Sequence, residues 1–341
     1  MHAGTIGIWL EFALCLLLIA VAGARLTRYG DAIADKTGLG GSWIGLILLA
    51  TVTSLPELAN GVSSVTLADV PNIAVGNLLG ACVFNLLIFM LIDVLQGEES
   101  MYTRVRPGHV LSAAFGVLLL GYTALSLLLA RNGANWAIGH VGVYAPVILL
   151  IYAAGVRTIF RYERRDVAKF AASEPDRYPH LSLRAVALRY AVAAAVVVGA
   201  GLWLPFVGAG LADAMGWSES FVGTVFIAIV TTLPELVVTL AAVRLGALDM
   251  AVANLFGSNL FNILVIAVDD AFYLPGPLLA QVAETHAVSA LAAVMMSGVA
   301  IVGLFFRARG RVLKRVGWAS LALLAIYLLN VSFAYLHEQA G

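Results

Sequence analysis

The sequence predicts an all-α integral membrane protein of about ten transmembrane helices, built as two inverted five-helix repeats with broken, proline-containing second and seventh helices. Three observations carry this expectation. The 341 residues are 61% hydrophobic and 12% charged, and the apolar residues fall in blocks of about 20, the length a helix needs to cross a bilayer. The stretch Thr53-Ser54-Leu55-Pro56-Glu57 returns as Thr231-Thr232-Leu233-Pro234-Glu235. A single hydrophilic linker separates the two copies.

Composition narrows the class further. A soluble chain of this length needs a more polar surface. The apolar blocks are continuous rather than alternating, which argues against a barrel. A formal net charge of +0 removes any bulk attraction to nucleic acid. Cys15 and Cys82 sit in separate apolar blocks and form neither a metal-ligand spacing nor a disulfide framework. The first block lacks a basic N-terminal flank, so it reads as a first span rather than a cleaved signal peptide.

Ten spans fit the blocks, at roughly 5–27, 41–67, 71–96, 108–130, 136–160, 184–211, 219–245, 250–273, 283–306 and 315–336. Basic short loops resist translocation. The stretch around the junction of spans five and six holds Arg157, Arg161, Arg164, Arg165, Lys169, Arg177 and Arg184, and that between nine and ten holds Arg307, Arg309, Arg311, Lys314 and Arg315. Both are expected to face the cytoplasm, which puts both termini outside. The opposite loops carry Asp69, Asp213, Glu219, Asp269 and Asp270, with Arg131 as the exception. The expected division is a first repeat at 1–160, a cytoplasmic linker at 161–183 and a second repeat at 184–341. The linker reads as a solvated connector, with a lipid-headgroup or regulatory role as the alternative.

The repeat extends beyond the glutamates. Gly45 to Leu58 aligns with Gly223 to Leu236, and Asn77 to Asn85 aligns with Asn254 to Asn262. Five spans is an odd number, so the halves take opposite membrane orientations, an architecture typical of secondary transporters.

The repeated residues suit cation chemistry. A proline inside a helix frees the carbonyl four residues back, here Val52 and Val230, and a free carbonyl in hydrocarbon needs a partner. Glu57 shares a helix face with Thr53 and Ala50, and Glu235 with Thr231 and Ala228. A charge at mid-membrane costs about 2.5–3.5 kcal/mol, and two such costs at matched positions imply a job. Asn77, Ala81 and Asn85 form one stripe, and Asn254, Ser258 and Asn262 its copy; Gly76, Gly80 and Gly257 permit close helix approach. Alone, an Asn stripe reads as interhelical packing. Facing two glutamates, it reads as the other half of an oxygen-rich cage for a hard cation: calcium, magnesium, sodium or manganese. Two carboxylates neutralise one divalent or two monovalent ions, and that competition is a physical basis for exchange. Protonation is another way to empty the cage.

At these residues the sequence resembles the sodium/calcium exchanger branch of the calcium/cation antiporter superfamily. The resemblance implies exchange of calcium for sodium by alternating access at one central site in the cell (inner) membrane, with lipid and inorganic cations as partners and no cofactor. It implies that Glu57 and Glu235 bind calcium, helped by Thr53 and Thr231. Sodium would use the glutamates, backbone oxygen at Ala50 and Ala228, and the hydroxyls of Ser54, Thr232 and Ser258. Asn85 and Asn262 would complete the centre, and spans one and six would slide as gating helices. Three departures stand out. The family's Gly-Ser-Asn is intact at Gly257-Ser258-Asn259 but reads Gly80-Ala81-Cys82 in the first half. Position 262 is Asn where some relatives carry Asp, which argues against potassium co-transport. The Leu-Pro-Glu form also differs from that of proton/calcium exchangers. Proton coupling, or a different divalent ion, is the runner-up.

Asp93, Asp269 and Asp270 lie near span ends and are expected at the interface, with an ion-access role as the alternative. His140 and His286 read as packed or interfacial. Glu11, inside span one, reads as a vestibule or helix-contact residue, and Trp43, Trp136, Trp217 and Trp318 read as interfacial anchors. An intramembrane hydrolase using Glu57 and Glu235 is the rival from another class. It lacks a nucleophile or a metal-ligand set, and the sequence reads as a transporter rather than an enzyme. A channel is disfavoured because a closed glutamate cage binds too tightly for fast conduction.

Overall fold

The computed structural model describes residues 3–36, 51–97, 99–167, 182–308, 310, 312 and 316–338. Gly45, Ala50, Trp43, Lys169, Arg177, Arg309, Arg311, Lys314 and Arg315 lie outside the described residues. In chain order the helices are α1 (Ala3–Lys36), α2 (Leu55–Thr66), α3 (Pro71–Leu95), α4 (Met101–Arg104), α5 (His109–Arg131), α6 (Tyr144–Val167), α7 (Leu183–Met215), α8 (Glu219–Phe221), α9 (Ala228–Thr231), α10 (Leu233–Arg244), α11 (Leu248–Phe272), α12 (Thr285–Phe306) and α13 (Trp318–Glu338). A π-helical segment, Val222–Ile227, joins α8 to α9, and a 3-10 turn, Leu278–Ala280, follows α11. Among the described residues eight helices are long and apolar enough to cross a membrane, or nine if the bent pair Glu219–Thr231 and Leu233–Arg244 is one span.

Helix ends follow local chemistry. The Ser182 hydroxyl accepts from the Ala185 N–H and opens α7, and the Ser218 hydroxyl accepts from Phe221 N–H and opens α8, so orphan amides are satisfied. Gly216, at φ 67°, closes α7 in the left-handed conformation. The fifth span starts later than expected. Residues 137–142 are not helical: Ala137–Ile138 and Val141–Gly142 form a two-stranded antiparallel hairpin, with Ala137 opposite Gly142 and Ile138 opposite Val141. Gly139 at its tip has φ 67°, which only the absence of a side chain makes cheap.

Two cores result. The larger lies among α3, α5, α11 and α12 and includes Leu78, Leu79, Phe89, Leu119, Leu120, Ile263, Ile266 and Met296. The second joins α1 to α7 and the π segment through Phe12, Ile19, Leu204, Val207, Leu211 and Ile227. Helices α3 and α11 are the most enclosed spans. Helix α1, with 34 residues, is about 51 Å long, well beyond the ~30 Å hydrocarbon core. It leaves Leu10, Leu14 and Leu17 exposed on its outer side, and Glu11 is exposed beside them.

Glycines set how closely the layers approach. A Cβ on Gly80 would fall on the backbone carbonyl of Thr224, and one on Gly76 would sit 3.1 Å from the Ser220 carbonyl oxygen, so α3 and the π segment touch backbone to backbone. The peripheral helices use the same device at the proline motifs. A Cβ on Gly23 of α1 would lie 2.6 Å from Pro234 Cγ, and one on Gly201 of α7 would lie 2.8 Å from Ala59 Cβ and 3.2 Å from the Pro56 carbonyl oxygen.

The structure places the residues read as lying near span ends. Asp93, Asp269 and Asp270, expected at the interface, are all fully buried. Asp93 accepts from Met101 N–H at 3.1 Å, Ser100 Oγ at 3.3 Å and Ser320 Oγ at 2.6 Å. Asp270 accepts from Leu278 N–H at 2.7 Å, Gly142 N–H at 2.8 Å and the Tyr144 hydroxyl. Position along a span reports depth, whereas Asp93 and Asp270 are closed over by the segments that fold back onto them and Asp269 lies against Gly61 of α2. Trp217 is drawn into an aromatic cluster, stacked on Phe226 at 5.0 Å and edge-on to Phe221 at 5.5 Å. His286 is packed, with Nε2 3.2 Å from Asn72 Oδ1 and 3.3 Å from Ser220 Oγ. Half-buried His140 meets the Ala271 carbonyl at 2.9 Å.

The backbone contact at Gly80 gives a direct test. Gly80→Ala should destabilise the protein by about 1–3 kcal/mol through overpacking, read as a lowered melting temperature in detergent. Gly116→Ala, where a Cβ meets nothing within 4 Å, should instead leave stability unchanged or raise it by up to about 1 kcal/mol through helix propensity.

Candidate cation-binding site

The two glutamates sit at matched helix starts. Ser54, at φ −89° and ψ 15°, precedes α2, and Thr232, at φ −82° and ψ 2°, stands between α9 and α10. The segments on either side of Thr232 are bent by 44°. Pro56 and Pro234 lie in the first turn of α2 and α10, where a missing N–H costs nothing. Each proline thus opens a helix, and the first intrahelical bonds run from Leu58 N–H to the Ser54 carbonyl and from Leu236 N–H to the Thr232 carbonyl. Glu57 and Glu235 follow in those first turns, where the helix dipole favours negative charge.

Ten of the eleven residues expected in the site are described, and all ten are buried: Thr53, Ser54, Glu57, Asn85, Ala228, Thr231, Thr232, Glu235, Ser258 and Asn262. Ala50 lies outside the described residues. The hydroxyls cross between halves. Ser54 Oγ donates to Glu235 Oε1 at 2.8 Å, and Thr232 Oγ1 donates to Glu57 Oε1 at 3.4 Å. Ser258 Oγ also donates to Glu235 Oε1, at 3.2 Å, and lies 3.5 Å from Thr53 Oγ1. Thr231 Oγ1 donates to Asn77 Oδ1 at 2.8 Å. The single hydroxyl proton of Thr232 is shared with the Ala228 carbonyl, the nearer acceptor at 2.6 Å, and that of Thr231 with the same carbonyl at 3.3 Å.

The halves are not equivalent. Ser258 solvates Glu235, but the matched position beside Glu57 is Ala81, fully buried and without a side-chain oxygen. Asn259 fills a role the sequence reading did not assign: its Oδ1 accepts from Asn85 Nδ2 at 3.0 Å and its Nδ2 donates to the Cys82 carbonyl at 3.2 Å. Asn254 was visible as part of a stripe, but its Nδ2 contacts to the Glu235 carbonyl and Thr239 Oγ1, both 3.3 Å, were not. The intact Gly-Ser-Asn at 257–259 was the available signal for Asn259.

A set of oxygens is left over. Glu57 Oε2, Glu235 Oε2, Asn85 Oδ1, Asn254 Oδ1 and Asn262 Oδ1 are buried with no hydrogen-bond donor among the described residues. Each such group costs about 1–3 kcal/mol if unsatisfied. Several carboxylate and amide oxygens gathered at the junction of α2, α3, α10 and α11 form a donor set suited to a hard cation. Among the described residues no group of three or more His, Cys, Asp or Glu side chains is placed to hold a metal, so the charge of this set comes from two carboxylates and its remaining oxygens are neutral.

The sequence matches the family model described as sodium/calcium exchanger protein over residues 7–156 and 186–336. The chain belongs to the sodium/calcium exchanger family. Members are membrane transporters rather than enzymes, use no cofactor and carry their ions as substrates, and this exchanger-family chain is a multi-pass integral membrane protein. It is 25% identical over 324 residues to the uncharacterized membrane protein MJ0091 of Methanocaldococcus jannaschii, covering 94% of this chain and 96% of the relative. It is 25% identical over 353 residues to the sodium/calcium exchanger MaX1 of Methanosarcina acetivorans, covering 94% of this chain and 96% of the relative. Its fold is similar to that of the H+/Ca2+ exchanger CAX, with TM-score 0.66 and 16% identity, covering 100% of this chain and 87% of the other.

The unequal solvation of the glutamates predicts unequal mutational costs. Removing both donors to Glu235 Oε1, in Ser54→Ala/Ser258→Ala, should cost about 1–3 kcal/mol. The check is thermal unfolding in detergent, with each single variant expected to lose less than the pair.

Proposed function

We propose that the chain is a secondary antiporter that exchanges calcium for sodium by alternating access at the single site between α2, α3, α10 and α11. The observation that carries this is the crossed pair Ser54–Glu235 and Thr232–Glu57 beside the leftover carboxylate and amide oxygens. In this reading Glu57 and Glu235 bind calcium with Thr53 and Thr231. Sodium uses both glutamates, the carbonyl oxygens of Ala50 and Ala228, and Ser54, Thr232 and Ser258. Asn85 and Asn262 complete the centre. Family membership and the sodium/calcium exchange named for MaX1 support the choice of ions.

The proposed architecture is two inverted five-helix repeats, 1–160 and 184–341, joined by a cytoplasmic linker at 161–183, with both termini outside the cell membrane. The matched caps support it: Asp93 accepts from the N–H of Met101 and Asp270 from that of Leu278, each eight residues on. So do Gly23 on Pro234 and Gly201 on the Pro56 carbonyl, one contact from each half onto the other half's proline motif. Helices α1 and α7 are the gating pair, moving over the core.

Proton coupling is the second reading, favoured by one observation: Ala81 removes the hydroxyl expected beside Glu57, which weakens a sodium position without weakening a carboxylate.

Sodium-loaded proteoliposomes diluted into sodium-free buffer should take up calcium-45, and a pH gradient in place of sodium tests the second reading. No gradient-driven uptake would sink the sodium/calcium assignment. Glu57→Gln and Glu235→Gln should each abolish exchange while the protein still folds; activity in either would displace the site. Ala81→Ser should steepen the sodium dependence, and an unchanged sodium curve removes the argument from the missing hydroxyl.

A further inference from the structure

We propose that Asp269, with Asn60, forms a second cation position on the route between the central site and the outer membrane face. The proposal rests on the exchange reading above. It starts from the three buried aspartates. Asp93 and Asp270 are satisfied by matched loop donors and serve as caps. The register that aligns Asn85 with Asn262 aligns Asp93 with Asp270 and Ile92 with Asp269. Asp269 is therefore an addition to the repeat, at a position where its counterpart is a fully buried isoleucine.

Asp269 is also the aspartate of the three with no satisfied oxygen. It is 0% exposed, and neither Oδ1 nor Oδ2 has a hydrogen-bond partner among the described residues. A buried carboxylate without partners is destabilising and, within a membrane segment, points to function. Packing alone does not call for it, since isoleucine fills the matched place.

Its surroundings connect it to the central site. The carboxylate lies against Gly61: a Cβ there would come within 2.9 Å of Asp269 Cγ and closer still to both oxygens. On α2, Asn60 and Gly61 follow Glu57 by three and four residues, so they share its face, about 6 Å further along the axis. On α11, Asp269 follows Asn262 by two turns on the same face, about 10 Å along. Asn60 is itself 0% exposed, with neither amide atom partnered. The same two helix faces thus carry the central site and, one step along, a second set of unpartnered oxygens. Asp269 lies at the end of α11 away from Arg244 and its loop, which is the outer end when the basic loops face the cytoplasm.

One carboxylate and one amide oxygen cannot neutralise or fully coordinate a calcium ion, so an ion here is held weakly and dwells briefly. That suits a position which concentrates cations next to the central site. The neighbouring Asp270 is committed to Gly142, Leu278 and Tyr144 and leaves the task to Asp269.

The test is sodium-gradient-driven calcium-45 uptake into right-side-out and inverted membrane vesicles, which present the outer and the cytoplasmic face to calcium. Asp269→Asn should raise the half-saturating calcium concentration about tenfold at the outer face and leave it within about twofold at the cytoplasmic face. Asp269→Glu should restore most of the affinity, and Asn60→Ala should shift the outer value in the same direction as Asp269→Asn. Should Asp269→Asn fail a melting check, Asn60→Ala decides. An unchanged outer value, or equal shifts at both faces, overturns the assignment. Absence of uptake by the wild type overturns the exchange reading and this proposal with it, and that failure is recognisable because it does not depend on any variant.

Discussion

A carboxylate enclosed by membrane helices has to be solvated by the protein that holds it, and here the solvation is reciprocal. Ser54 reaches across to Glu235 and Thr232 reaches across to Glu57. Glu235 also has Ser258 from its own half, whereas the hydroxyl at Glu57 comes from the opposite motif, so the first glutamate in particular depends on the two motifs meeting. The rest of the core serves that meeting. Gly76 and Gly80 bring α3 against the π segment, which carries α9 and Thr232 into register. The restarted helices turn their N-termini toward the glutamates, so partial positive charge is supplied from the backbone as well.

Much of this was legible in the sequence because its costs are visible there. A proline and a glutamate in an apolar run are each unfavourable, and their exact duplication marks the site before any coordinates are known. What proline does was harder to read. The sequence suggests an interrupted helix with freed carbonyls, whereas Pro56 and Pro234 lie in the first turn of a new one. The start of the fifth span was misplaced because Trp136-Ala137-Ile138 is apolar enough to read as helix. The hairpin there is stabilised by a long-range bond from Gly142 N–H to Asp270 that no local pattern announces. For the same reason the buried aspartates looked interfacial. Sequence reports how far along a span a residue lies, and only the fold reports what closes over it.

The departure from symmetry is as informative as the symmetry. Glu235 Oε1 accepts from two hydroxyls while Glu57 Oε1 accepts from one at 3.4 Å, with Ala81 in the place of a second donor. On the first-half side Cys82 pairs with Asn259 through its backbone carbonyl, which accepts from Asn259 Nδ2, and through its thiol, which donates to the Asn259 carbonyl at 3.8 Å. The two glutamates therefore differ in how strongly the protein holds them, and a cation displacing those hydroxyls meets less competition at Glu57.

The glycine contacts of the outer helices carry a mechanical consequence. Gly23 of α1 bears on Pro234, and Gly201 of α7 bears on the Pro56 carbonyl, so each outer helix rests on the motif that belongs to the other half. In the proposed cycle a shift of either helix is felt first at the opposite glutamate. Such cross-wiring would let the motion that uncovers one side press on the other.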